Sequence, residues 1–182
     1  ANRENGFFYY DNILLSADYE VKGKYSVKNG TRLIACSAFL GCTKLTEVVM
    51  PDSVRYINEE AFYGCSSLKN VILSKNIEKI SPRTFEDCIS LSSIIIPASV
   101  SLIDTNAFAN CISLRSVDIP QGVSQIDSYA FSHCLLLKSI VIPEGVSEIP
   151  ESAFENCINI NGIKLNMKFL ICILQVVPDL KT

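Results

Sequence analysis

The chain has 182 residues, of which 48% are hydrophobic, and its 16 lysines and arginines against 19 aspartates and glutamates give a net charge of −3. This composition allows a sizeable buried core, and the scattered charges form no basic stripe that would attract nucleic acid or an anionic membrane. The apolar runs are shorter than the roughly 20 residues that a membrane span needs, and no signal peptide opens the sequence.

Residues 1–24 do not follow the periodicity of the rest of the chain. Two short apolar runs, 7–10 and 13–16, flank Asp11 and Asn12, which tolerate positive φ. We expect a β-hairpin-like N-terminal cap over residues 1–24. Its aromatic residues are also consistent with a sugar- or peptide-stacking patch, but a cap must in any case be apolar on its inner side.

Residues 25–165 repeat with a fixed step of 23 residues. The columns are Phe39, Phe62, Phe85, Phe108, Phe131 and Phe154; Cys42, Cys65, Cys88, Cys111, Cys134 and Cys157; and Leu45, Leu68, Leu91, Leu114, Leu137 and Ile160. Such a period is typical of a solenoid, in which each unit buries its apolar face against its neighbours. We therefore predict one array of about six repeats over 25–165, followed by a degenerate repeat or a C-terminal cap over 166–182.

Each repeat contains a short strand and a second apolar pair. In residues 91–113 the strand places Ile94 and Ile96 towards the core, Pro97 ends it, and Val100 and Ile103 follow on another side of the coil. The same pattern recurs in the neighbouring units. We expect these short strands to stack in parallel on one face of the array.

The Phe and Cys columns lie on a segment that is bounded like a helix. Helix N-cap residue types precede it, and six residues later come residue types that tolerate the left-handed conformation. The N-cap positions are Asn58, Ser81, Asp104 and Asp127, and the stop positions are Gly41, Gly64, Asp87, Asn110, His133 and Asn156. The short spacing predicts 3₁₀ or short α turns opposite the strands, and thus an α/β solenoid wound as a right-handed coil.

The cysteine column predicts packing rather than chemistry. Parallel side chains stacked about 4.8 Å apart suit neither a disulfide nor a tetrahedral metal site, so we expect free, buried thiols and no cofactor. Cys36 and Cys172 lie off the column, and their state stays open. His133 beside Cys134 resembles a catalytic pair, but neighbouring residues on a turn point in different directions.

The repeat unit L-x-x-V/I-x-I/L-P-x-x-V-x-x-I-x-x-x-A-F-x-x-C closely resembles the BspA-like, or Treponema-type, leucine-rich repeat. The Ala-Phe-x-x-Cys signature is intact in five of six copies, and Thr84 replaces alanine in the other. The resemblance implies a leucine-rich-repeat coil. It also implies a surface or secreted protein of mucosal bacteria or parasitic protists, with a role in adhesion to host proteins, other cells or glycans.

In leucine-rich repeats the outward face of the strands is the usual place for a ligand. Here it combines a small polar column with a β-branched ridge, which favours a shallow binding strip about 25 Å long. The candidate ligand-binding residues are Val49, Ile72, Ile95, Asp118, Val141, Lys164, Glu47 and Asn70, with Asp118 and Lys164 as polar anchors. The alternative is that valine and isoleucine are simply good strand formers.

Two functions remain open. The first is a non-enzymatic extracellular or cell-surface module that binds a host or cell-surface protein or glycan. The second is a structural spacer or self-associating stalk without a ligand of its own. We expect no enzyme, because a solenoid presents polar residues as parallel ladders without a pocket. Asn29-Gly30-Thr31 is a glycosylation sequon only if the chain is secreted by a eukaryote.

Overall fold

The structure, a computed structural model, describes residues 2–164. Short strands follow one another around a stack of coils, and each coil repeats the path of the one before it. The strands are β1 Asn2–Glu4, β2 Phe7–Tyr10, β3 Ile13–Ala17, β4 Lys22–Ser26, β5 Leu33–Ile34, β6 Lys44–Val49, β7 Tyr56–Ile57, β8 Asn70–Ile72, β9 Lys79–Ile80, β10 Ser93–Ile95, β11 Leu102–Ile103, β12 Ser116–Asp118, β13 Gln125–Ile126, β14 Ser139–Val141 and β15 Gly162–Lys164, and one 3₁₀ helix covers Glu151–Phe154.

Parallel pairing between successive coils builds two ladders on different sides of the array. The first ladder runs through β4, β6 and β8 and then through β10, β12, β14 and β15. The second runs through β3, β5 and β7 and then through β9, β11 and β13. Val49 lies opposite Ile72, and Leu102 lies opposite Gln125. Because this register equals the sequence period, equivalent residues of successive coils stack on one another.

Turns carry the first five Ala-Phe-x-x-Cys segments, and the sixth begins in the 3₁₀ helix Glu151–Phe154, so the prediction of 3₁₀ or short α turns opposite the strands is wrong for the array as a whole. The residue two places before Phe has a positive φ in five successive coils, which interrupts a helix. These residues are Ser37, Glu60, Arg83, Asn106 and Tyr129, with φ from 54° to 60°. The fold is therefore a β-solenoid of about 6 turns and not the expected α/β solenoid.

The destination of the backbone N–H groups explains this difference. The N–H of Phe62 donates to the carbonyl of Thr84 in the next coil at 2.9 Å, and that of Gly64 donates to the carbonyl of Glu86 at 2.9 Å. The alternate residues bond within their own turn: the N–H of Tyr63 donates to the carbonyl of Glu60, and the N–H of Cys65 donates to the carbonyl of Phe62. Alternate N–H groups of each turn thus donate to carbonyls of the neighbouring coil. In a helix these N–H groups would bond within their own segment, and the bonds between coils would be lost.

The proposed N-caps consequently have no helix to cap. Ser81 is buried, and its hydroxyl donates to the carbonyl of Ile57, while the carboxylate of Asp104 accepts the N–H of Thr105 at 2.8 Å. The left-handed stop positions are confirmed, with φ from 56° to 69°: Gly41, Gly64, Asp87, Asn110, His133 and Asn156.

The phenylalanine column forms a continuous ring stack along the core. Successive ring centroids from Phe39 to Phe154 lie 4.7 to 5.4 Å apart, and the rings are nearly parallel. The rings are fully buried up to Phe131, and Phe154 is half-buried. Since a ring touches only the rings above and below it, the core is continuous while each coil contacts only its neighbours.

The N-terminal hairpin packs on the first coil. β2 and β3 pair antiparallel, with Phe7 and Tyr9 facing the core and Tyr10 exposed. Phe7 stacks on Tyr25 at 3.5 Å, and both rings lie about 6 Å from Phe39. The ring stack is thereby covered at this end. The second ladder already includes β3 and the first already includes β4, so parallel pairing begins before residue 25.

Residues 165–182 lie outside the described part of the chain. The predicted degenerate repeat or cap over 166–182 and the state of Cys172 fall there. Within residues 2–164, no helix has the length and apolar character needed to cross a membrane.

Candidate binding face

The outward positions of β6, β8, β10, β12, β14 and β15 form one side of the array, which we call the strand face. In the three-residue strands from β8 to β14 the central residue is buried and both of its neighbours are exposed. The alternation arises because successive side chains of a strand point to opposite sides. Two parallel columns of side chains therefore run along the strand face.

One column is the β-branched ridge. Ile95 is 83% exposed, Ile72 is 55% exposed and Val141 is 51% exposed, while Val49 is half-buried. Asp118 is also exposed and interrupts the ridge between Ile95 and Val141. The backbone of Lys164 continues the same column beside Val141. Isoleucine exposed to this extent on adjacent coils forms an apolar surface against which no residue of 2–164 packs.

The other column is polar. Glu47 forms an ion pair with Lys24 at 2.7 Å, so this carboxylate already has a partner. Asn70 is exposed, and Ser93, Ser116 and Ser139 follow in direct register. Among residues 2–164, none of these three serine hydroxyls is engaged in a side-chain hydrogen bond. They are thus available as donors and acceptors.

A column of basic residues lies beside the strand face and was not predicted from the sequence. Lys69, Arg115 and Lys138 immediately precede β8, β12 and β14, and all three are exposed. The ion pairs of the described residues involve none of them. The sequence nevertheless contains this column, because Lys69, Ser92, Arg115 and Lys138 follow one another at the 23-residue step of the repeat.

A second apolar column was also missed, at the corner where the turns lead into the strands. It consists of the residue after each cysteine in the later coils, namely Ile89, Ile112, Leu135 and Ile158. Ile89 is 41% exposed and Ile158 is 76% exposed. This corner column is separate from the ridge, because five residues lie between the two columns in each coil, as residues 90–94 do between Ile89 and Ile95.

The thiols of Cys42, Cys65, Cys88, Cys111 and Cys134 are buried inside the array, and that of Cys157 is half-buried. Burial raises the pKa of Cys65, Cys88 and Cys111 far above the ordinary thiol value. A hydrogen bond with Cys157, followed by burial, raises the pKa of Cys134. Such thiols are protonated and unreactive at neutral pH. Cys36, off the column, is a free and exposed thiol.

His133 and Cys134 point away from each other. The imidazole is on the outside, 3.0 Å from the side-chain nitrogen of Asn156, while the thiol of Cys134 donates inward to the carbonyl of Phe108 at 3.3 Å. This arrangement does not assemble a nucleophile with a base. Among the described residues, no group of three or more His, Cys, Asp and Glu side chains could hold a metal ion.

Comparisons with known proteins agree with this geometry. The model of the BspA type leucine rich repeat region matches residues 32–167 with 6 copies. A leucine-rich repeat protein of T. pallidum is 33% identical, with a TM-score of 0.79, over 84% of this chain and 73% of its own. A leucine rich cell surface protein of Faecalibacterium prausnitzii is 32% identical, with a TM-score of 0.60, over 88% of this chain and 37% of its own.

A leucine-rich repeat protein of Bacteroides ovatus is 25% identical, with a TM-score of 0.66, over 90% of this chain and 50% of its own. The comparison with curated proteins gave no match. The repeat model covers most of the array, and the T. pallidum protein is similar to this chain in both sequence and fold. The chain belongs to the BspA-type leucine-rich repeat family.

Proposed function

We propose that this chain is a non-enzymatic binding module of an extracellular or cell-surface protein, and that it contacts a protein partner through the strand face. The observation that carries the proposal is the exposed ridge of Ile72, Ile95 and Val141, which lies beside serine hydroxyls that make no side-chain hydrogen bond within residues 2–164. Apolar groups ringed by polar groups are the usual composition of a protein-binding surface. The surface location is supported by the description of the F. prausnitzii relative as a cell surface protein.

A protein partner fits the strand face better than a glycan does. Sugars bind well where they stack on exposed aromatic rings, and the two outward columns of β6 to β15 contain no aromatic residue. Isoleucine and valine instead suit the side chains of another polypeptide. A role in adhesion follows if the partner belongs to a host or to another cell.

The test is a capture experiment with a panel of purified extracellular matrix and serum proteins immobilised on sensor chips. We compare the wild-type chain with Ile72→Lys/Ile95→Lys on the strand face. The matched control is Ile89→Lys/Ile112→Lys, which changes two exposed isoleucines of the corner column in the same manner. Circular dichroism and thermal unfolding verify that both variants remain folded.

The expected result is that the wild-type chain and the control bind at least one panel protein, while the strand-face variant loses about tenfold or more in affinity. Equal binding by all three proteins would remove the strand face from the proposal. A wild-type chain that binds nothing and grows in mass with concentration in light scattering would favour the self-associating stalk, and a strict monomer that binds nothing would favour the spacer.

A further inference from the structure

The charge of the basic column bears on which kind of partner the strand face would bind. Lys69, Arg115 and Lys138 lie at the edge of the strand face where the strands begin, and all are exposed without an ion pair among residues 2–164. Arg115 and Lys138 belong to adjacent coils, about 4.8 Å apart, and Lys69 lies two coils before Arg115, at about 9.6 Å. Like charges at this spacing repel one another, so an anion between them is favoured.

The local charge differs in sign from that of the whole chain. The chain carries −3, yet at the outward positions of β8, β10, β12 and β14 and at the residues just before them, the exposed charges without an ion pair among residues 2–164 are these three cations and the carboxylate of Asp118. A further exposed carboxylate, Glu144, lies in the turn three residues after Val141. The other carboxylate of the strand face, Glu47, is neutralised by Lys24. The strand face is therefore a positive surface on an acidic protein, and such a surface steers an anionic partner to itself.

The three columns have a spacing that suits an extended polypeptide. The basic residue and the ridge residue of a coil are three residues apart, as in Lys69 and Ile72, which corresponds to about 10 Å along a strand. The serine column lies between them. A strand-like peptide that runs over the serines along the array sends alternate side chains towards the basic column and towards the ridge. Four residues of such a peptide span about 13.6 Å, which is close to the distance of about 14.4 Å that three coil spacings cover.

From these observations we infer that the strand face binds an acidic polypeptide segment in extended conformation. Its carboxylates face Lys69, Arg115 and Lys138, its apolar side chains cover Ile72, Ile95 and Val141, and its backbone bonds to the serine hydroxyls. Nucleic acid is the weaker fit to the same cations, because single strands bind through base stacking on aromatic rings and the two outward columns have none. This inference rests on the proposed function of the strand face.

The probe is a fluorescein-labelled decapeptide of five Glu-Val repeats, followed by fluorescence anisotropy at 50 and 300 mM NaCl. A Gln-Val decapeptide removes its charge and keeps its shape. On the protein, Lys69→Gln/Arg115→Gln/Lys138→Gln removes the basic column. The matched control is Arg32→Gln/Arg55→Gln, because these two exposed arginines of adjacent coils precede strands β5 and β7 on the second ladder.

We expect the Glu-Val peptide to bind the wild-type chain and the Arg32/Arg55 control alike. Binding of the Gln-Val peptide, or of the triple variant, is about tenfold weaker, and 300 mM NaCl weakens the Glu-Val complex several-fold. The inference is overturned if the Glu-Val and Gln-Val peptides bind equally, if the triple variant binds like the wild type, or if neither peptide binds. In the last case, capture of a panel protein that depends on Ile72 and Ile95 still supports the proposed function, so the two failures are distinguishable.

Discussion

The thiol of Cys88 donates to the backbone carbonyl of Phe62 in the preceding coil, with 3.2 Å between Sγ and O. The same carbonyl accepts the N–H of Cys65 at 3.1 Å, so both of its lone pairs are used. Equivalent thiol bonds link Cys65 to Phe39, Cys111 to Phe85, Cys134 to Phe108 and Cys157 to Phe131. The cysteine column thus joins each coil to the one before it, in addition to filling the core.

The first prediction concerns this thiol bond. Cys88→Val keeps an apolar side chain of similar size but removes the S–H donor, and we expect it to lower the free energy of unfolding by about 0.5 to 1.5 kcal/mol. Urea unfolding followed by circular dichroism measures the change. A Val variant as stable as the wild type would show that cysteine serves only to fill space.

The second prediction concerns alkaline pH. Burial raises the pKa of Cys42 to about 11 and that of Cys111 well above its ordinary value. In the unfolded chain the thiol pKa is about 8.5. The stabilising contribution of a protonated buried thiol is therefore complete below about pH 8.5. Above that pH the unfolded state binds fewer protons than the folded state, so stability falls as the pH rises.

The variant Cys111→Ala tests this sign. We expect it to be less stable than the wild type at pH 7 and to lose about 1.4 kcal/mol less per pH unit between pH 9.5 and 10.5, because one titrating thiol is absent. The measurement is urea unfolding in the presence of reductant at these pH values. Parallel pH dependences of the two proteins would contradict the assignment of Cys111 as a buried, protonated thiol.

The third prediction concerns the ring stack. Phe108 is fully buried between Phe85 and Phe131, at 5.4 and 5.2 Å, whereas Phe154 is half-buried. We expect Phe108→Ala to cost about 3 to 5 kcal/mol and Phe154→Ala to cost less. Thermal and urea unfolding compare the two variants. Equal losses would argue against an array in which stability is shared between neighbouring coils.

The fourth prediction concerns backbone strain in the turns. Ser37 has a φ of 54°, which glycine adopts without steric cost, so we expect Ser37→Gly to stabilise the chain by about 0.5 to 1 kcal/mol. Ser128, on the same side of a later coil, has no positive φ. There the same substitution should cost about 0.5 to 1 kcal/mol through the entropy of the unfolded chain. Destabilisation at both positions would contradict the left-handed conformation of Ser37.

Much of the architecture could be predicted from the 23-residue columns. Equal spacing at Phe85, Phe108 and Phe131 means that identical side chains occupy identical places in successive coils, which defines a solenoid and its buried positions. The strand face could be located as well, since alternation around Ile94 separates inward from outward residues. The basic residues Lys69, Arg115 and Lys138 follow the same step, but their exposure and the absence of ion pairs to them among residues 2–164 required the structure, because both depend on neighbouring coils.

The sequence by itself determined the repeat, its register and the family, because these depend only on which residue types recur at which step. The tertiary structure decided what the Ala-Phe-x-x-Cys segment is. Locally, a segment bounded by Asp104 and Asn110 is compatible with a short helix, whose N–H groups would bond within it. In the stack of coils, the N–H of Phe108 donates to the carbonyl of Ala130 in the next coil at 2.8 Å. Since that partner exists only once the coils have stacked, the spacing of residues within one repeat could not reveal it.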